Sequence, residues 1–211
     1  MVSNGDLDNK LDKLKSVVRE FIKLIGDDPD RPELRETPER VARMWLEELA
    51  SGYGRNPDEH LKYFYVNVNS ANYVSTNRLV AVLNIPVRSI CEHHLLPFYG
   101  YAYVVYVPSD EVFGLSKFAR VVNVFARRLQ LQERLTEELA DYLFVKLKTK
   151  GLLVMIEAIH TCALVRGVEE PLSMVTLTTR GQLSTDRGLR DEALKIIKTR
   201  KTSRNLRLLK P

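Results

Sequence analysis

The sequence predicts an α+β fold built on an antiparallel sheet. Two kinds of pattern carry the prediction. Apolar residues recur at three- and four-residue steps in some segments, and runs rich in β-branched and aromatic residues mark others. A third observation is their order: two helices, then β-β-α-α-β-β, then a last helix. Strands that arrive in pairs, without strict alternation with helices, favour antiparallel pairing over a parallel α/β sheet.

The first helix is predicted over residues 7–25. Leu7, Leu11, Leu14, Val18, Phe21 and Ile22 form its apolar stripe, and Gly26 with the following Asp28-Pro29-Asp30 stops it. A second opens at "ETPERVARMWLEELASG". Thr37 suits the N-cap and Pro38 the first helical position, where a missing N–H costs nothing. Val41, Met44, Trp45 and Leu49 make its buried stripe, and Gly52 ends it. Residues 53–80, rich in Tyr and Asn, read as an irregular connection with some extended structure. Strands are predicted over 81–90 and 98–107, helices over 116–128 and 133–148, strands over 152–165 and 172–179, and a short helix near 188–198. Phe118, Val121, Val122 and Phe125 share one stripe; Leu135, Leu139, Leu143 and Leu147 share the next.

A chain of 211 residues with 45% hydrophobic and 28% charged residues can bury one substantial core. It has no run of about 18 apolar residues, so no membrane span is expected. The polar start "MVSNGDLDNKLDKLK" lacks the apolar stretch of a signal peptide. A cytoplasmic location is expected, where structural disulfides are rare. The net charge of +5 is unevenly placed: seven basic residues and no acidic one lie in 195–211, which leaves residues 1–194 at −2. A basic run alone carries no recognition chemistry, so the tail is read as a solvated, poorly ordered terminus and nucleic acid is not expected as a partner.

Chemistry concentrates in "SICEHHLLPFYG" and "EAIHTCALVRG". The chain has two cysteines and four histidines. Cys91, His93 and His94 fall within four positions, and His160 and Cys162 stand two apart on a predicted strand, on one face. Thiolate and imidazole are preferred zinc ligands, and Zn²⁺ takes four in a tetrahedron, one of them water in a catalytic site. A Cys91–Cys162 disulfide and a structural zinc knuckle are the rival readings. The first is disfavoured by the expected compartment and the second by the wide ligand spacing. With Cys91, His94 and Cys162 as ligands, His93 and His160 are left as acid–base groups, a set suited to metal-assisted hydrolysis.

Other polar residues fit an anionic substrate. Ser116, Lys117 and Arg120 lie near a predicted helix start, where free N–H groups and the helix dipole favour negative charge. Arg40 and Arg43 stand three apart on one helical face, and Arg166 follows Cys162 closely. Together they suit a polyphosphate, although each alone reads as a solvated surface charge. Gln132 and Glu133 open the fourth predicted helix; a carboxylate there can also accept from two adjacent N–H groups of a base edge.

The motifs "ETPERVARMW", "CEHHLLPFYG", "GLSKFARVVNVFARRLQLQERLT", "IHTCALVRG" and "SMVTLTTRGQLSTDRGLRDE", in this order, resemble the zinc-dependent GTP cyclohydrolase I family over roughly residues 8–198. The resemblance implies a tunnelling fold (T-fold), with antiparallel sheets joined into a barrel in a homo-oligomer. It further implies a decamer of two pentamers with active sites at subunit interfaces. It implies conversion of GTP and water to formate and 7,8-dihydroneopterin triphosphate, the entry to folate and related pterins, with one Zn²⁺ per subunit. By motif position, Cys91, His94 and Cys162 would hold zinc, whose water would attack C8 of guanine. His93 would protonate the purine imidazole ring, His160 the ribose ring oxygen, and Ser116 would assist the ribose rearrangement. Glu133 with Gln132 would hold the guanine edge. Arg40, Arg43, Lys117, Arg120 and Arg166 would bind the triphosphate, some of them from a neighbouring subunit.

The chain departs from the family pattern in places. Arg43 stands where many members carry Lys, "RPEL" replaces the more usual acidic-Gly-Leu stretch before the second helix, and Leu189 and Ala193 replace Thr and Phe near the last helix. The implied layout is an N-terminal helical region, 1–61, a catalytic region, 62–198, and the basic tail, 199–211. Two alternatives are another T-fold enzyme, such as a nitrile reductase with a cysteine nucleophile, and a catalytically silent, zinc-stabilised nucleotide-binding ring. The full Cys-Glu-His-His plus His-x-Cys set argues against the first; His93, His160 and Glu133 would be idle in the second.

Overall fold

A computed structural model describes residues 4–60, 63–65, 79–109 and 111–208, with side chains at the ends of some of these segments left undescribed. The chain divides into two compact units, Met1–Asn56 and Pro57–Pro211.

The first unit is helical. Helix α1 (Asn4–Leu24) begins three residues before its apolar stripe and carries Asp6 in its first turn and Lys23 in its last, both in favourable places for the helix dipole. Its stripe is only partly covered: Ile22 is buried and Leu11, Leu14 and Val18 half-buried, whereas Leu7 and Phe21 remain exposed. Helix α2 (Thr37–Arg43) takes Glu36, not Thr37, as its N-cap, and no side chain caps it. Proline therefore falls one position further in, still ahead of the first N–H that needs a helical partner. The helix then widens into a π-helical stretch, Met44–Leu49, and a 3₁₀ turn, Ser51–Gly54. Of the predicted stripe, Val41, Trp45 and Leu49 are half-buried and Met44 is exposed; the buried residues of α2 are Pro38 and Ala42.

The second unit is organised by a five-stranded sheet. After a 3₁₀ turn, Pro57–His60, come strands β1 (Tyr63–Tyr65), β2 (Val80–Cys91), β3 (Pro97–Val107) and β4 (Glu111–Phe113). Helix α3 (Leu115–Ala126), strand β5 (Leu129–Gln130) and helix α4 (Gln132–Lys146) follow. The chain continues with β6 (Gly151–His160), the helical turn α5 (Thr161–Leu164), β7 (Ser173–Gly181), α6 (Gln182–Thr185) and α7 (Arg187–Leu208). The sheet order is β5-β2-β3-β6-β7, antiparallel except for the short parallel β2–β5 pairing; β1 and β4 form a separate antiparallel pair. The predicted α+β class and strand–helix order hold, and the sheet is mixed rather than purely antiparallel. Much of the connection expected over 53–80 (residues 61–62 and 66–78) lies outside the described residues.

Each sheet face has its own core. Val104, Tyr106, Val154 and Ile156 pack with Val121, Val122, Leu135, Leu139 and Leu143 of α3 and α4. The opposite face sets Tyr103, Val105, Leu153 and Met155 against Leu183, Leu189, Ala193 and Ile197. Leu189 and Ala193, two of the departures from the family pattern, thus belong to a packed face. A bulge in β2 between Val82 and Ile85, with Asn84 at φ 57°, shifts the alternation by one residue. Because of it Val87 and Cys91 come to the α3–α4 face. At Gly100 the backbones of β3 and β6 approach so closely that a Cβ would lie 1.9 Å from the Glu157 carbonyl oxygen.

Two further expectations need correction. The strand expected over 152–165 stops at His160, and Cys162 lies on α5, so a shared strand face is not what relates the two residues. The last helix continues through the tail to Leu208 instead of ending near 198. The short elements β4, β5 and α6 carry too few residues for a periodicity to register.

Candidate metal centre and its surroundings

Strand ends assemble the site. β2 delivers Cys91 as its last residue, β6 delivers His160 as its last residue, and α5 turns the chain so that Cys162 comes back toward both. The ligand atoms of Cys91, His160 and Cys162 all lie within 4.8 Å of one another. Cys91 is buried and the other two are half-buried. Both cysteines are free thiols. Two thiols and an imidazole at this separation match the donor set of a zinc site.

His160 is tightly oriented. Its ring stacks on Phe98, its register partner across β3, at 4.5 Å and 9°. Its Nε2 lies 3.0 Å from Oε1 of Gln132. The Gln132 amide is fixed in turn: Nε2 donates toward the carbonyl oxygens of Ile156 (3.1 Å) and Met174 (3.0 Å) and toward Oγ1 of Thr176 (3.2 Å). Reversing the amide would set oxygen against two carbonyl oxygens. Oε1 can therefore only accept, so Nε2 of His160 carries a proton and Nδ1 is its available nitrogen. Burial lowers the His160 pKa, opposed by the nearby Glu133 carboxylate.

Burial pushes the Cys162 thiol up, the neighbouring Cys91 adds to this, and Arg166 pulls the other way. A metal that takes thiolates must displace these protons on binding.

The other predicted site residues are distributed as follows. His93 and His94 stand exposed on the turn after β2, their rings edge-on at 6.2 Å. The imidazole grouped with the thiols is thus that of His160, whereas the motif position implies His94. Gln132 is buried and spends its amide on the chain itself. Glu133 is exposed on the first turn of α4, next to it. Ser116, Lys117 and Arg120 occupy the first two turns of α3. Arg40 and Arg43 belong to the first unit, where Arg40 pairs with Glu36 and Arg43 with Glu39 and Glu47. Phe98, Thr136 and Thr176 were not singled out from sequence, because their roles depend on cross-strand register.

Fold and site together define a mixed α+β protein with a two-thiol, one-imidazole centre where strand ends converge. The chain belongs to the GTP cyclohydrolase I family, whose model matches residues 14–198. It is 46% identical over 188 residues to GTP cyclohydrolase 1 of Carboxydothermus hydrogenoformans, covering 88% of this chain and 94% of that one. It is 44% identical over 187 residues to GTP cyclohydrolase 1 of Clostridium kluyveri (88% and 97%). It is 45% identical over 188 residues to that of Aquifex aeolicus (89% and 96%). Among the described residues no helix is long and apolar enough to cross a membrane.

Proposed function

We propose that the chain is a GTP cyclohydrolase I that opens the guanine imidazole ring of GTP, releases C8 as formate and yields 7,8-dihydroneopterin triphosphate for folate or related pterin synthesis. The observation that carries this is the Cys91–His160–Cys162 group in a chain of this family. When bound, zinc supplies the Lewis acidity that makes water a nucleophile near neutral pH. Cys91 and Cys162 provide the thiolates. His94 is the third ligand, which requires its exposed side chain to turn toward the thiols; His160, its Nε2 proton held by Gln132, then takes up a second proton at Nδ1 and passes it to the ribose ring oxygen. A second reading has His160 itself as third ligand through Nδ1; its place within 4.8 Å of both sulfurs favours it.

The remaining roles follow from chemistry and position. His93, exposed beside the centre in sequence, protonates the purine ring nitrogen and so drains electrons from C8. Glu133 accepts from the guanine N–H groups. Gln132 acts on the substrate through His160. Ser116 assists at the ribose. Lys117, Arg120, Arg166, Arg40 and Arg43, some of them from a neighbouring subunit, neutralise the triphosphate, whose binding energy positions the base.

We also propose the T-fold barrel and a decamer of two pentamers in the cytoplasm. Supporting the assembly, Tyr99, Val175 and Leu177 lie on one face of the sheet by register and are about half exposed (49%, 52% and 43%). The test of the activity is to incubate zinc-loaded protein with GTP and follow formate together with pterin fluorescence after oxidation. Both should appear in step; neither appearing would overturn the proposal.

A further inference from the structure

Glu92 stands inside the chemical motif and has no role in the reading above. It is the first residue of the turn that carries His93 and His94. That turn is closed on the end of β2 by Leu95 N–H to the Cys91 carbonyl (2.9 Å) and Cys91 N–H to the Leu96 carbonyl (2.9 Å). Its side chain pairs with Arg134, on the first turn of α4, two residues after Gln132 and one after Glu133.

Arg134 is held on more than one side. Its Nε donates to Oε1 of Gln130 (3.1 Å). Gln130 is buried, and its amide nitrogen donates to the Phe125 carbonyl (3.1 Å) and to Glu138 (3.0 Å). Its oxygen is therefore left to face Arg134, by the same logic that fixes Gln132. The Gln130 carbonyl in turn accepts from the Glu92 N–H at 3.2 Å. One guanidinium fork thus joins α4 and β5 to the turn after β2.

We infer that the Glu92–Arg134 pair is a positioning device for the reaction proposed above: it sets the turn bearing His93 and His94 against the helix start bearing Gln132 and Glu133. The inference rests on that functional reading. Both side chains are partly exposed (30% and 43%), and a pair so placed contributes little to global stability. Its consequence is geometric, since small misplacements of catalytic groups are costly in rate.

The experiment compares zinc-loaded parent, Glu92→Gln, Arg134→Gln, Arg134→Lys and the Glu92→Gln/Arg134→Gln double variant. Turnover of GTP, zinc content, thermal unfolding and hydrogen exchange of residues 92–96 are measured. Arg134→Gln should lower kcat about 10- to 100-fold. It should leave KM for GTP and melting temperature nearly unchanged and speed exchange in 92–96. Arg134→Lys keeps the charge but loses the fork, and should recover only part of kcat. The double variant should lose no more than the worse single one. Unchanged kcat and exchange in Arg134→Gln, or additive losses in the double variant, would overturn the positioning role. If the parent releases no formate but Arg134→Gln still speeds exchange in 92–96, the functional reading falls while the coupling of turn to helix stands.

Discussion

Gln132 and His160 share a hydrogen bond of 3.0 Å across the junction of α4 and β6, and the direction of that bond is set on the far side of the amide. Ile156, Met174 and Thr176 accept from the Gln132 nitrogen, so its oxygen faces the imidazole. The Thr136 hydroxyl donates to the Gln132 carbonyl (2.7 Å) and meets the Thr176 hydroxyl at 2.6 Å, closing a ring of polar groups beneath the site. Such a network is worth having only when every member is satisfied.

Substitutions at Gln132 should therefore rank in a definite order. Gln132→Met leaves two strand carbonyls without this donor and should cost about 1–3 kcal/mol. Gln132→Glu sets carboxylate oxygens against those same carbonyls in a buried place and should cost more. Urea unfolding of both variants checks the order. Equal stability of Gln132→Glu and the parent would contradict the assigned amide orientation.

The thiols and the imidazoles can be separated by metal analysis. Cys91→Ser and Cys162→Ser should each lose bound zinc and turnover together. His93→Ala should keep zinc and lose turnover. His94→Ala and His160→Ala divide the two ligand readings: zinc lost in the first and kept in the second supports His94 as ligand, and the reverse supports His160. Retention of full zinc by Cys162→Ser would remove the basis of the proposed centre.

The parts of this arrangement that the sequence made legible are those with short-range signatures. Leu135, Leu139 and Leu143 of α4 and Leu147 at its C-cap repeat at four-residue steps and are all buried. The cysteine–histidine clusters declared their chemistry by residue type alone. What stayed hidden depends on register and backbone geometry. The bulge at Asn84 brings Cys91 to the helix-covered face, and no local pattern announces it. The end of β6 at His160 is likewise set by α5, whose Thr161 hydroxyl donates to the Pro97 carbonyl at 2.6 Å, a contact 64 residues distant in sequence. Gln132 read as a substrate contact because its buried acceptors lie on two strands that only the fold brings to it.

Gly100 gives a packing prediction. An added Cβ would meet the Glu157 carbonyl oxygen at 1.9 Å and the Ala158 Cα at 2.6 Å, both backbone atoms of the neighbouring strand. Gly100→Ala should force β3 and β6 apart and cost at least about 1–3 kcal/mol. A melting temperature equal to the parent's would show that the strands are not packed this closely.

Arg180 ties β7 to α4 through Glu137 and Asp141. Its guanidinium is the main reason that Glu137 titrates below the usual range, with Thr178 adding to it. A carboxyl whose pKa is lower when folded contributes stability above its unfolded pKa and loses that contribution as pH falls through the folded value. The contribution is thus present at neutral pH, begins to be lost below about pH 4.3 and is gone once the pH lies below the folded value. Glu137 is half exposed, so solvent screening keeps the effect to about 1 kcal/mol or less. Glu137→Gln should be slightly less stable than the parent at pH 7, and the difference should shrink as acid protonates the folded carboxyl. A constant difference between the two across this range would contradict the pairing.

The most direct test of the account follows one atom. GTP carrying an isotopic label at C8 is turned over by the zinc-loaded protein, and the label is traced. The account predicts that it leaves as formate, one for each GTP consumed, with an unlabelled pterin triphosphate as the other product. Label retained in the pterin, or GTP consumed without labelled formate, would contradict it.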